Sequence, residues 1–142
     1  MNMALFPSQE WCDKFKEAMN NDVGVAKTGK DWGVGFKGDF FFEIQPGSGL
    51  KNTHYFYLDA TEGKCRDCKM VDDPSGIDAG YYVTGTYGDY KPIVKGEKGF
   101  IKTVLRGALK LKGDMATVTR NAAFITNVSD CLSSFQNEYL GE

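Results

Sequence analysis

The sequence has few of the residues on which metal and nucleophilic sites most often depend. It contains one histidine, His54, and four cysteines. One histidine cannot build a zinc site from several imidazoles, and it is the only histidine base available to a serine or cysteine nucleophile. No motif surrounds His54, so we do not expect catalysis of that kind. Four cysteines in a chain of this length are too sparse for a disulfide scaffold.

Targeting and membrane signals are also lacking. No run approaches the roughly 20 consecutive apolar residues of a membrane-spanning helix. Pro7 and Glu10 interrupt the start of the chain before the apolar core of a secretory signal can form. The ending Leu140-Gly141-Glu142 is not a peroxisomal address. We therefore predict a cytoplasmic protein whose cysteines are thiols.

The charge pattern gives no reason to expect a nucleic-acid partner. The formal net charge is -2 at pH 7. No run of lysine and arginine with interleaved aromatic residues indicates a platform for stacking bases. The composition of 42% hydrophobic and 25% charged residues is ordinary for a globular protein. We predict a single domain over residues 1–142, with one core and no nucleic-acid partner.

Cys65 and Cys68 have the two-residue separation found in some metal and redox sites. The segment KCRDCKMV around them predicts a strand, in which residues three apart point to opposite faces. Two sulfurs on opposite faces cannot bind one ion, and no second cysteine pair or nearby histidine supplies further zinc ligands. We therefore predict a structural role for both cysteines, with no metal and no cofactor.

The clearest order in the chain lies in VLRGALKLKGDMATVTR, residues 104–120. Leu109 and Leu111 alternate with polar or small residues, which predicts a strand with one buried face. Asp114 is a good N-cap for the helix that follows. The apolar residues of this helix recur at spacings of three, four and three: Met115, Val118, Ala122 and Ile125. Strand and helix each have one apolar side, so both need an apolar partner.

Weaker patterns predict the remaining elements. Ser8 caps a first helix that ends near Asn20, and glycines between residues 24 and 35 predict a loop. Alternating residues predict four strands, over 36–46, 53–60, 64–71 and 81–86. Helical spacing predicts short helices in two further segments, 89–106 with a break near Gly96 or Gly99, and 129–139.

This element order predicts the α+β class. Four strands joined by short turns predict an antiparallel meander, to which the strand before Asp114 adds a fifth member. Helices then cover one face of a five-stranded, largely antiparallel sheet, and the opposite face is left toward water.

The chain resembles the sterol carrier protein family over nearly its whole length. The resemblance lies in SQEWCDKFKEAMN, FKGDFFFEI, YFYLDATEGKC, AGYYVTGTYGDYKPIVKGE and RGALKLKGD. Its most specific part, Gly107 to Gly113, is similar to the family strand Gly-Lys-Leu-Lys-Ile-x-Gly. Ala108 stands in place of the first lysine, and Asp114 stands where asparagine is frequent. The resemblance implies an apolar tunnel that holds fatty acyl chains, sterols or other lipids, and these motifs are fold markers rather than catalytic ones.

Such a tunnel would bind a lipid or other apolar small molecule without bond chemistry. Burying a dozen methylenes gains roughly 10 kcal/mol, whereas association costs about 4 to 15 kcal/mol. We therefore expect affinity on the order of micromolar and loose specificity. The predicted ligand-binding residues come from the sheet and the closing helices: Phe40, Phe42, Phe56, Val83, Met115, Val118, Ile125, Leu132 and Phe135. The alternative is a fully packed core, which the sequence does not distinguish from a hollow one.

Two further surfaces suggest partners. Lysines recur at positions 91, 95, 98 and 102, and each basic residue near an anionic membrane is worth about 1 kcal/mol. Transient membrane contact is one interpretation of this row, and a solvated helix face is the other. The second surface is the predicted outer face of the sheet, where an aromatic patch favours an interface such as a homodimer: Phe41, Tyr55, Tyr57 and Tyr82.

A protein-interaction module with a filled core and a small enzyme are therefore the competing function classes. The enzyme would transfer a proton on an apolar substrate, using Asp59 beside Tyr55 and Tyr57. The predicted exposure of that face argues against the enzyme, because the apolar substrate would bind on the other side.

Overall fold

A five-stranded sheet forms the centre of the structure, a computed structural model that describes residues 3–142. The strands are β1 (Ala4–Phe6), β2 (Asp39–Gln45), β3 (His54–Thr61), β4 (Lys64–Val71), β5 (Tyr81–Thr86), β6 (Lys110–Lys112) and β7 (Asn137–Tyr139). The helices are α1 (Gln9–Asn20), α2 (Val23–Thr28), α3 (Tyr87–Val94), α4 (Phe100–Leu105), α5 (Met115–Arg120) and α6 (Ala122–Cys131). Within residues 3–142, every helix falls short of the length and apolar character that crossing a bilayer requires.

The strand order is β4-β3-β2-β5-β6, with three antiparallel pairs and one parallel pair, β2 with β5. The predicted α+β class and the largely antiparallel five-stranded sheet are confirmed. The predicted meander is wrong, because β5 lies beside β2 rather than beside β4. Four successive residues of β2 are buried, from Asp39 to Phe42. On the outer face, Phe41 is buried between the rings of Tyr55 and Tyr82 on the two neighbouring strands, and the break in alternation at Phe41 is the sequence signature of this burial.

The chain returns to the sheet centre through Gly80. Its backbone N–H donates to Asp39 Oδ1 at 2.7 Å. A Cβ atom at this position would collide with the carbonyl group of Lys37. The close approach of two backbones therefore requires glycine where the crossing segment enters β5.

A bulge between Asp59 and Ala60 corrects the prediction that Cys65 and Cys68 point to opposite faces. The register shift pairs Ala60 with Cys65 and Leu58 with Cys68, and both cysteines are buried. Bulges change the facing of residues in this way because they insert one extra residue into a ladder. Within residues 3–142, no group of three or more histidine, cysteine, aspartate or glutamate residues could hold a metal ion.

The helix predicted from Asp114 to Ile125 is two helices. Asp114 caps α5 as predicted, accepting hydrogen bonds from Ala116 N and Thr117 N at 3.0 and 3.3 Å. Asn121 then interrupts the helix, and its side chain donates to the carbonyl of Thr117 at 2.8 Å. Such local bonds compete with the helical ladder. The apolar stripe consequently changes register.

Two exposure changes follow from this break, because the second helix begins in a new orientation. Ala122, predicted to be part of the stripe, is exposed. Phe124, which lies outside the predicted stripe, is buried and begins the inner face of α6.

Two other predictions are wrong, one for residues 24–35 and one for residues 129–139. The glycine-rich loop contains α2, whose N-cap Asp22 accepts a hydrogen bond from Val25 N at 2.8 Å. The last predicted helix is replaced by β7, which pairs in parallel with β1 in a separate two-stranded sheet. This pairing joins residues more than 130 positions apart, Ala4 with Asn137. The other elements agree: Ser8 caps α1, and the 89–106 segment forms two short helices broken between residues 94 and 100.

Candidate ligand cavity

An apolar cavity of about 60 Å³ lies between the inner face of the sheet and the helices. Its floor consists of alternate residues of β2 and β3: Phe40, Phe42, Phe56, Leu58 and Ala60. The register places Phe42 opposite Phe56 and Phe40 opposite Leu58. The rings of Phe42 and Phe56 stack with their centroids 4.3 Å apart. The floor is therefore a rigid apolar surface, because strand pairing and ring stacking both hold its side chains.

Three helices form the roof. They contribute Ile93 and Val94 from α3, Phe100 from α4, and Phe124, Ile125 and Val128 from α6, followed by Leu132. Val128 and Leu132 are four residues apart, so they lie on the same side of the chain as it leaves α6. Phe6 and Trp11 close the end of the cavity near the two-stranded sheet.

The polar groups at the wall are mostly engaged by the protein itself. The Tyr90 hydroxyl lies 3.0 Å from the carbonyl oxygen of Glu43 and 3.1 Å from that of Val83. Trp11 Nε1 donates to Asn137 Oδ1 at 2.8 Å. Burial raises the pKa of Tyr90, so this phenol stays neutral and cannot serve as a base at neutral pH. Within residues 3–142 the wall includes no carboxylate, histidine or thiol.

Five of the nine predicted ligand-binding residues line this cavity: Phe40, Phe42, Phe56, Ile125 and Leu132. The other four lie elsewhere in the apolar interior. Val83 and Val118 are fully buried, and Met115 and Phe135 are half-buried against the core. A role in ligand binding stays a prediction for all nine.

The prediction missed several wall residues, among them Trp11, Tyr90, Phe100 and Phe124. Trp11 has the helical spacing of a buried residue, but spacing does not show which part of the interior it meets. Phe124 falls outside the stripe drawn for one continuous helix. A sequence-based prediction could find it only by anticipating the break at Asn121.

A surface groove of about 350 Å³ runs between α4 and α6 and adjoins the cavity. Groove and cavity share Phe100, Ile125 and Ser129 in their walls. Phe100 is half-buried and follows Gly99, around which a Cβ atom would meet nothing within 4 Å. The side chain of Phe100 is therefore part of the boundary between the groove and the cavity.

The predicted lysine row does not form one uniform face. Lys91 donates to the Ser48 carbonyl at 2.9 Å and pairs with Glu142. Lys95 lies over the ring of Tyr139, with Nζ 5.0 Å from the ring centroid. Lys98 and Lys102 are exposed, and both line a second surface groove beside α4. Contact with an anionic membrane stays a prediction.

The outer face of the sheet carries the predicted aromatic patch, which we call the outer aromatic face: Phe41, Tyr55, Tyr57 and Tyr82. The ring centroid of Phe41 lies 5.5 Å from that of Tyr55 and 6.2 Å from that of Tyr82. Two lysines lie over these rings, Lys69 over Tyr57 and Lys112 over Tyr82. The ammonium nitrogens lie 5.7 and 5.8 Å from the ring centroids, within the range of cation–π attraction.

The carboxylate on this face that pairs with a tyrosine is Asp39, not Asp59 as the enzyme hypothesis requires. Tyr57 donates to Asp39 Oδ2 at 2.7 Å, while Gly80 N donates to the other oxygen. Burial and the bond to Asp39 raise the pKa of Tyr57. Both oxygens of Asp39 are thus occupied by the protein, and the pair lies on the opposite side of the sheet from the cavity.

Comparison with protein-family models matches residues 35–126 to the SCP-2 sterol transfer family. The chain belongs to this family. The matched region runs from just before β2 into α6, and so contains the floor and most of the roof of the cavity. The resemblance read from the sequence is therefore confirmed.

Solved structures agree with this membership at the level of the fold. A crystal structure of sterol carrier protein 2 matches at 18% identity and a TM-score of 0.78, covering 90% of this chain and 97% of that one. A conserved hypothetical protein of Thermus thermophilus matches at 18% identity and 0.80, covering 96% and 93%. Apo sterol carrier protein 2 from Yarrowia lipolytica matches at 19% identity and 0.54, covering 86% and 88%. No curated protein matched the chain.

Proposed function

We propose that this protein binds a lipid or other apolar small molecule in the cavity and carries it without changing its bonds. The observation that carries this proposal is a void between sheet and helices whose wall is apolar and whose deep polar groups are already hydrogen-bonded. Such a wall attracts hydrocarbon, and its one serine, Ser129, has no carboxylate, histidine or thiol beside it in the wall to activate the hydroxyl. Membership in the SCP-2 sterol transfer family supports the same function.

The ligand must widen the cavity as it enters. The void of about 60 Å³ is less than half the size of an engineered cavity that binds benzene, which measures about 150 Å³. The floor cannot give way, because its strands are hydrogen-bonded on both sides. The roof can move, because α4 is only six residues long and lies between Gly96 and Gly107, which both adopt positive φ. We therefore expect α4 to move outward when a ligand binds.

Filling the cavity tests the proposal directly. Val128→Phe places a ring at the roof, whereas Ala123→Phe adds the same ring to an exposed position on the same helix. We expect delipidated wild-type protein and Ala123→Phe to bind a fluorescent C12 fatty-acid probe equally. We expect Val128→Phe to bind it at least about tenfold more weakly, the loss that a blocked site would cause.

Native mass spectrometry of protein purified from its own host provides the second readout. A co-purifying lipid that disappears in Val128→Phe supports the proposal. Equal probe binding in all three proteins contradicts it, because binding would then take place outside the cavity. Correct folding of each variant is checked by its urea unfolding midpoint.

A second candidate function is self-association through the outer aromatic face. The observation that favours it is the stack of Phe41 on Tyr55 beside Tyr82, on the sheet face opposite the helices. Aromatic side chains of this kind are enriched in protein interfaces. This function does not compete with ligand binding, because the two use opposite faces of the sheet.

A further inference from the structure

A second groove beside α4 has a wall rich in cations. It measures about 230 Å³ and is lined by Lys98, Lys102 and Arg106, with Glu97 as its one carboxylate. The chain as a whole carries a formal net charge of -2. Positive charge is therefore concentrated in this groove although the net charge of the whole chain is negative.

Among residues 3–142, none of these three cations is in an ion pair. The ion pairs among residues 3–142 join Lys37 to Asp78, Lys69 to Asp67 and Lys91 to Glu142. By contrast, Lys102 and Arg106 are four residues apart on one helix and its C-cap. Like charges at this spacing repel each other, while the C-terminal end of the helix dipole attracts both of them.

The basic groove is continuous with the route into the cavity. It shares Gly99 and Lys102 with the groove between α4 and α6. That groove in turn shares Phe100 and Ser129 with the cavity. Phe100 and Lys102 both line that groove between α4 and α6. An anionic group bound at Lys102 could therefore be the head group of a molecule whose hydrocarbon tail extends past Phe100 into the cavity.

We infer that the basic groove binds the anionic head group, a carboxylate or a phosphate, of a single-chain amphiphile whose tail occupies the cavity. The inference rests on the proposed function. A single chain is specified because the cavity of about 60 Å³ is small. Lys102 and Arg106 hold the head group by charge-assisted hydrogen bonds. Their unpaired charges thus have a partner when the ligand is bound.

The test compares ligands that have the same tail and different head groups. Dodecanoate, dodecyl phosphate and dodecanol are titrated into delipidated full-length protein at low ionic strength, by isothermal calorimetry. The variant is Lys102→Gln with Arg106→Gln. The matched control is Lys27→Gln with Lys30→Gln, which removes the same charge from an exposed region around the end of α2.

We expect wild-type protein and the control to bind both anions about tenfold more tightly than dodecanol, the gain of one charge-assisted hydrogen bond. In the groove variant the anions should fall to the affinity of dodecanol, while dodecanol itself is unchanged. Equal binding of all three ligands in every protein would overturn the head-group site and leave the proposed cavity function intact. Failure of all three to bind would overturn both.

Vesicles containing an anionic phospholipid separate cargo binding from membrane docking. If the groove variant loses vesicle association but keeps its preference for dodecanoate over dodecanol, the cations face a bilayer and the head-group site is wrong. If it loses the preference and vesicle association is unchanged, the site is supported.

Discussion

On the inner face of the sheet, Phe42 stacks on Phe56 beneath helices, and on the outer face Phe41 stacks on Tyr55 with lysine stems nearby. The two stacks lie on the same pair of strands. The inner rings are both phenylalanine and carry no polar group, and the cavity lies between them and the helices. The outer rings are mostly tyrosine, and the hydroxyls of Tyr57 and Tyr82 donate hydrogen bonds to Asp39 and to the carbonyl oxygen of Ile77. The inner face thus combines apolar rings with a helical roof, and the cavity lies between them.

The sharpest comparison of the two faces uses neighbouring residues of β3. Phe56 points to the helices and is buried, and Tyr55 points outward and is half-buried. We expect Phe56→Ala to lower the free energy of unfolding by about 3 to 5 kcal/mol, because a buried ring is lost from the packed interior. We expect Tyr55→Ala to cost about 1 kcal/mol. Urea unfolding of both variants measures the difference.

Equal losses of unfolding free energy in Phe56→Ala and Tyr55→Ala would contradict the difference between the two faces. They would mean that the outer face is as fully covered in solution as the inner one. Ligand binding provides the control, because Tyr55→Ala should leave affinity for the C12 probe unchanged.

The cysteines offer a second test of how tightly the helices cover the inner face. Burial raises the pKa of Cys65 to about 12, and burial also raises the pKa of Cys131 to about 12. We expect both thiols to react with a disulfide reagent at pH 8 at least about a hundredfold more slowly in native protein than in denatured protein, because the thiolate is the reactive form. A quantitative thiol assay with and without urea measures these rates.

The same shifts predict the direction of a pH effect on stability. The folded-state pKa values lie above the ordinary value of 9.0, so the native state favours the protonated thiols. Stability is therefore intact below about pH 9 and falls as pH rises toward 12. Cys65→Ala should lose less stability than wild type between pH 8 and pH 10. In the thiol assay, a reaction rate in native protein close to the rate in denatured protein would show that the helices open readily.

The smallest expected effect is self-association through the outer aromatic face. Sedimentation velocity should detect weak dimers of wild-type protein at submillimolar concentration. Tyr55→Glu should abolish them by placing charge within the aromatic patch. The matched change Asn52→Glu, in the exposed segment before β3, should leave them intact. A strict monomer at every concentration would refute this function and leave ligand binding untouched.

Sequence reasoning succeeded wherever a short segment carried its own signal. The N-caps at Ser8 and Asp114 and the inward alternation of β3 were all predictable from local spacing. The floor of the cavity was therefore largely predictable. The roof was less so, because the break at Asn121 redirects the stripe from Ala122 to Phe124.

Prediction failed where distant segments meet. The parallel pairing of β2 with β5 and of β1 with β7 depends on which strand edges remain free once the rest of the chain has packed. The bulge at Asp59 and Ala60, which turns both Cys65 and Cys68 inward, likewise arises from pairing with a neighbouring strand. None of these features leaves a periodic signal in the strand that it affects.

The amino-acid sequence by itself determined the class of fold, the family and the apolar character of the inner face. It could do so because side-chain periodicity is a property of the local backbone, two residues in a strand and 3.6 in a helix. Only the tertiary structure decided the size of the cavity, the presence of Phe100 in its wall and the position of the basic groove next to the groove that adjoins the cavity. The space between packed layers depends on the fit of side chains from distant segments, and no single segment encodes that fit.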